Sequence, residues 1–126
     1  MLTIALAGCG ESATYSTEEV VDAFERHGYV LVVRALPGDT AAARESDLLT
    51  SRGGQPFIVV VASDAAADEA WPDYESQQTR DSFDVRRANV IVISDSGLGA
   101  SQRERVLATL SSLPDRGAAV VIAGRE

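Results

Sequence analysis

The chain has one cysteine, Cys9, and one histidine, His27; it has one asparagine, Asn89, and no lysine at all in 126 residues. A lone cysteine excludes an internal disulfide, and an unpaired thiol in an exported protein needs a reason. Without lysine the eleven basic residues are all arginine, against 19 acidic ones, for a net charge of −8. That balance excludes nucleic acid as a partner, because phosphate binding needs a basic footprint. The acidity serves solubility. No segment nears the roughly 20 apolar residues that a bilayer-spanning helix requires. A Ser/His/Asp triad would have to use His27, and no G-x-S-x-G elbow supplies its nucleophile. His27 sits just before Gly28 in the last turn of an expected helix, where a cation suits the helix dipole. What remains is ordinary: 45% hydrophobic and 24% charged residues, in a length that fits one globular domain. Abundant alanine with no lysine and almost no asparagine reads as the coding bias of a high-GC genome.

The most informative stretch is Leu6-Ala7-Gly8-Cys9, followed by Gly10-Glu11-Ser12. It reads as a bacterial lipobox, a small-residue cleavage site before a cysteine that takes lipid. Lipidation of Cys9 would account for the unpaired thiol. A secretory signal also needs a basic n-region and an apolar core. Residues 1–8 supply the end of such a core and no Arg or Lys, so Met1 is expected to lie inside a longer signal. This divides the chain into a residual signal and lipobox over 1–9, a short tether over 10–14 and a single domain over 15–126. The expected address is the extracytoplasmic face of the membrane. The expected partners are membrane lipid through acylated Cys9 and an envelope protein or small ligand, with no cofactor. The alternative takes Thr3-Ile4-Ala5-Leu6-Ala7 as a first strand and Gly8-x-Gly10-x-x-Ala13 as a pyrophosphate-binding turn of a cytoplasmic Rossmann-like protein. Against it, the next helix starts only at Ser16, and Arg34 stands near the place of the expected acidic residue, although an arginine could suit a 2′-phosphate.

Further along, Ser16 with Glu19 forms a capping box, and Tyr15 can staple onto Val20. Val20, Val21 and Phe24 make one helical face, and Gly28 ends it. Residues 29–36 read as strand, Pro37-Gly38-Asp39 as a type II turn, and 40–50 as a short helix on the strength of its alanines and Leu48-Leu49. Residues 51–55 read as loop and 57–62 as strand. Asp64 is expected to cap an Ala-rich helical turn limited by Pro72, with 73–84 irregular. Residues 89–94 read as strand, Ser101 with Glu104 as a second capping box, and Val106, Leu107, Leu110 and Leu113 as an apolar stripe ending at Pro114. Residues 118–123 read as a last strand. Four apolar strand runs alternating with helical segments suggest burial on both faces. The expected fold is therefore a single α/β layered domain of about four strands in a parallel or mixed sheet, with two well-capped helices and shorter helical segments.

The order of these pieces resembles a group of small uncharacterised envelope lipoproteins of actinobacteria. The matching residues are Leu6-Ala7-Gly8-Cys9, Tyr15-Ser16 leading into Glu19-Val20 and Ala23-Phe24, Gly53-Gly54-Gln55-Pro56-Phe57, and Arg86-Arg87-Ala88-Asn89-Val90-Ile91-Val92. The resemblance spans most of the chain and implies an envelope location and a small ligandless domain. It implies no activity. The missing n-region departs from its pattern.

Asp64 and Asp95 each directly follow an expected strand. In a parallel sheet both carboxylates would reach one edge, where open α/β folds place ligands. A hard cation or an acid/base pair could be built there, giving a metal-assisted enzyme as a third reading. Cap and turn statistics explain the same two residues without a site. Ser96-Gly97-Leu98-Gly99 could cradle a phosphate, or simply connect a strand tightly to a helix. Trp71, Tyr74 and Phe83 suit core packing better than a ligand platform, and Arg86-Arg87 reads as a solvated start of a strand. The reading these features favour is a non-enzymatic binding or interaction module.

Overall fold

The computed structural model describes residues 14–34, 47–53, 56–78, 82–94 and 98–123. The first helix, α1 (Thr17–Arg26), opens as its sequence predicts. Ser16 Oγ accepts the Glu19 N–H, and the Glu19 carboxylate accepts the Ser16 N–H in return. Val20, Ala23 and Phe24 form its buried face, and the staple partner Tyr15 is buried in the same core. The helix closes in a Schellman motif. Tyr29 N–H reaches Phe24 O at 2.9 Å and Gly28 N–H reaches Glu25 O at 3.1 Å, while the Phe24 and Tyr29 rings pack at 6.1 Å. The reversal places Gly28 at φ +94°, a left-handed conformation that penalises a Cβ. A Cβ there would also meet the Arg105 guanidinium at 3.4 Å. Gly28→Ala is expected to destabilise the domain by about 1–2 kcal/mol, read as a lower urea midpoint at unchanged m.

Five of the strands follow as β1 (Leu31–Arg34), β2 (Asp47–Ser51), β3 (Ile58–Val61), β4 (Val85–Arg87) and β5 (Val90–Ile93), with α2 (Asp64–Ser76) between β3 and β4. Helix α3 (Ala100–Ser111) and strand β6 (Val120–Ile122) complete the order. The strands form one six-stranded sheet in the order β1-β2-β3-β5-β4-β6, and every pairing is antiparallel. This corrects the expectation of about four strands in a parallel or mixed sheet. The apolar runs at 57–62 and 89–94 are indeed buried, but burial on both faces reports helices on both faces, not strand direction. β3 and β4 run the same way with β5 inserted between them, and β5 and β6 run the same way around β4. Each helix crossover therefore skips one strand, and the sheet stays antiparallel throughout.

Two strands escape a reading by pattern. Residues 47–51, taken as helical, form β2, where Leu49 is fully buried between Val33 and Val59. The second half of the expected short helix is thus a central strand; its first half, like the turn at Pro37-Gly38-Asp39, lies outside the described residues. Residues 85–87 form β4, joined to β5 by the two-residue turn Ala88-Asn89, with Ala88 at φ +54°.

The two sheet faces are covered unequally. On one, α1 and α3 close a core that includes Val20, Phe24, Leu49, Val59, Val92, Val106 and Leu110. On the other, α2 lays Ala66, Ala67 and Trp71 over Ile91, with Val60, Ile93 and Tyr74 packed around them. Helix α2 is longer than expected. Its N-cap is Ser63, not Asp64, with Ser63 Oγ accepting the Ala66 N–H at 3.1 Å. Pro72 lies inside it, where the ring removes the bond to the Asp68 carbonyl. The helix continues to Ser76 because Trp71 and Tyr74, on either side of the proline, are both held to the sheet. Helix α3 is capped two residues earlier than the expected Ser101, at Gly99, whose N–H donates to Gln102 Oε1 at 3.4 Å.

Buried polar side chains tie the layers together. Asn89, 1% exposed, accepts the Tyr15 N–H at 2.7 Å and donates to Tyr15 O and Ala62 O, each at 2.9 Å. It joins the segment before α1 to the end of β3. Arg87, expected in solvent, is buried instead. Its guanidinium donates to Leu110 O, Leu113 O and Ala118 O at 2.7–3.0 Å, satisfying carbonyls at the C-terminal end of α3 where a cation suits the helix dipole. Arg116 pairs with Glu19 at 2.7 Å and donates to Thr14 O. Arg87 and Arg116 both stack on the Tyr15 ring.

Candidate functional site

Of the residues singled out for chemistry, Asp64 and His27 are among those described. β3 and β5 are antiparallel, with Ile58 opposite Ile93 and Val61 opposite Val90. The end of β3 that leads to Asp64 and the end of β5 at Ile93 and Ser94 are therefore at opposite ends of the pair, about 13 Å of strand apart. Asp95 itself lies outside the described residues. The antiparallel pairing removes the shared edge on which an acid/base or metal pair of Asp64 and Asp95 depended. Asp64 instead accepts a hydrogen bond from Thr14 Oγ1 at 3.1 Å. Among the described residues no three His, Cys, Asp or Glu side chains are grouped to hold a metal ion. His27 Nδ1 lies 2.9 Å from Ala23 O at the end of α1, the capping position expected of it. Leu6, Ala7, Gly8, Cys9, Gly10 and Ala13 all lie outside the described residues, as do Ser96 and Gly97. Leu98 is a core residue. The dinucleotide reading required a parallel sheet, and the pairings observed are antiparallel.

Among the described residues the fold builds an open sheet edge that no sequence motif announced. Among the described strands β1 ends the sheet and pairs with β2 alone. Arg52 N–H bonds to Val30 O at 2.8 Å, which sets the alternation: Val32 and Arg34 exchange main-chain bonds with β2, and Leu31 and Val33 turn theirs outward. Val30 and Val33 are 46% and 53% exposed. The only other exposed large hydrophobic residue among those described, Val121, is on β6 at the far edge.

Beside this edge runs a groove of about 430 Å³ lined by Thr17, Glu18, Val21, Asp22 and Val33. Its floor is the valine pair, one from α1 and one from β1. Its rim is acidic. Glu18 and Asp22 are exposed and take part in no ion pair among the described residues, whose two salt bridges are Arg86 with Asp68 and Arg116 with Glu19. Glu25, four residues beyond Val21, extends the same flank of the helix. Thr17 Oγ1 donates to Asp47 on β2, fixing the α1 N-terminus over the sheet. On the opposite flank Glu19 behaves differently. The Arg116 guanidinium, aided by the Ser16 N–H, holds its carboxyl below the usual glutamate range.

Among the described residues the groove brings together one hydroxyl, two carboxylates and two valines. Beside it, among the described residues, the outward main-chain groups of Leu31 and Val33 have no strand partner, and Glu18 and Asp22 make no ion pair. No family model, curated protein or solved structure gives a significant match to this chain.

Proposed function

We propose that the protein is a lipid-anchored envelope module that works by binding, not catalysis, and is held at the extracytoplasmic face of the membrane through Cys9. The observation that carries this reading is Leu6-Ala7-Gly8-Cys9 in a chain with no other cysteine. Two or three acyl chains on Cys9, at about 0.8 kcal/mol per buried CH₂, anchor stably where a single chain does not. The open β1 edge and its groove support the binding half of the reading, because exposed pairing groups beside an apolar slot are a recurrent means of capturing a partner. No helix among the described residues is long and apolar enough to cross a membrane.

The test is metabolic labelling with a palmitate analogue in the native host, using the gene with its upstream in-frame codons. Label on the wild-type protein that disappears in Cys9→Ser is the expected result. No label on either form, with the protein in the soluble fraction, overturns the anchor.

A further inference from the structure

We infer that the β1 edge takes an extended peptide segment with an apolar residue flanked at alternate positions by Lys or Arg, added as a seventh strand. This deepens the binding reading above and rests on it only for the module's role, since the edge geometry stands on its own. A strand added beyond β1 would bond to the outward main-chain groups of Leu31 and Val33. In such a ladder residues opposite each other share a face. The residue opposite Val33 therefore points toward α1, into the slot between Val21 and Val33. Its neighbours two positions away point the same way and pass beneath the acidic flank formed by Glu18, Asp22 and Glu25. Main-chain bonds give the affinity in this mode and alternate side chains the selectivity. The pattern selected is basic, any, apolar, any, basic.

A second copy of the chain fits the same edge poorly. Antiparallel pairing of two β1 strands would bring the Glu18 and Asp22 carboxylates of both copies to one seam, between two molecules each carrying a net charge of −8. Like charges so placed repel. An incoming basic strand is attracted by the same groups.

The experiment uses the full chain and two blocked peptides, acetyl-TKTVTKT-amide and its acidic counterpart acetyl-TETVTET-amide, followed by calorimetry and backbone amide shifts. The expected result is binding of the basic peptide at least tenfold tighter than the acidic one, with the largest shifts at Leu31 and Val33. Raising the salt is expected to weaken it. Val33→Pro supplies the decisive variant: it deletes an N–H that points away from β2, so the strand keeps its partner, and binding is expected to be lost while the circular dichroism spectrum is retained. Glu18→Lys combined with Asp22→Lys is expected to weaken the basic peptide at least tenfold. Equal binding of the two peptides, binding that survives Val33→Pro, or a concentration-dependent dimer that Val33→Pro abolishes would each overturn the proposal. Loss of palmitate label with peptide binding intact would remove the anchor and leave this edge standing. Label without peptide binding would do the reverse.

Discussion

Replacing Asn89 with alanine is expected to cost about 3–5 kcal/mol, a large share of the stability of a domain this size. The Asn89 side chain makes three buried hydrogen bonds, to Tyr15 N, Tyr15 O and Ala62 O. Alanine leaves one donor and two acceptors without that partner, each at about 1–3 kcal/mol where water cannot replace it. The sum is set at the lower end because some relaxation is usual. Asn89→Asp separates the contributions. It keeps the acceptor for Tyr15 N–H but turns a carboxylate toward two carbonyl oxygens, so it is expected to be no better than alanine. Urea unfolding followed by far-ultraviolet circular dichroism reads both: a lower midpoint with unchanged m is the expected outcome. A shift below about 1 kcal/mol would mean that Asn89 does not join Tyr15 to β3 as described.

The second large effect is expected at Trp71. Helix α2 covers the second sheet face, and Trp71, 7% exposed, is its largest contact with Val60, Ile91 and Ile93. Its ring also packs against Tyr74 at a centroid distance of 6.4 Å. Trp71→Ala removes this cover and leaves a cavity, at a cost of about 3–5 kcal/mol. Trp71→Phe, which keeps an aromatic ring in place, is expected to cost less than half as much. The alanine variant should also bind a hydrophobic dye such as ANS, because β3 and β5 carry isoleucine and valine on the face it uncovers. Unchanged dye fluorescence would show that α2 does not depend on the indole for its seat.

These two residues mark where the sequence is readable and where it is not. Local chemistry was legible. Ser16 and Glu19 cap α1 as their spacing predicts, Val106 and Leu110 lie buried on α3 with Leu113 buried just beyond its end, and Val90-Ile91-Val92 forms a buried strand. What a local pattern cannot carry is partnership. Leu48-Leu49 reads equally as helix or strand, and it is the pairing on both sides, with β1 and β3, that makes it β2. Arg86 and Arg87 suggest solvent, but Arg87 is buried because the end of α3 presents carbonyls that need donors. The antiparallel sheet had one sequence signal. Only Ala88 and Asn89 separate Arg87 from Val90, a gap too short for anything but a hairpin. Asn89, the one asparagine in the chain, sits in that turn.

The candidate site was less legible than the fold. Asp64 and Asp95 drew attention because both follow strands, a placement that matters only if the strands run the same way. The β1 edge carries no motif at all. Its parts are an exposed Val33, a half-buried Val21 and two acidic residues four apart on α1, and they become a groove only when α1 folds back along the last strand of the sheet. The proposed lipobox is the reverse case: it is read from the sequence alone, and its residues fall outside those described.

The anchor is tested most directly by intact-mass spectrometry of the protein extracted from host membranes. The account predicts a mature chain that begins at Cys9 and carries lipid on its thiol, with residues 1–8 removed. A soluble protein that retains residues 1–8 and a free Cys9 thiol would contradict it.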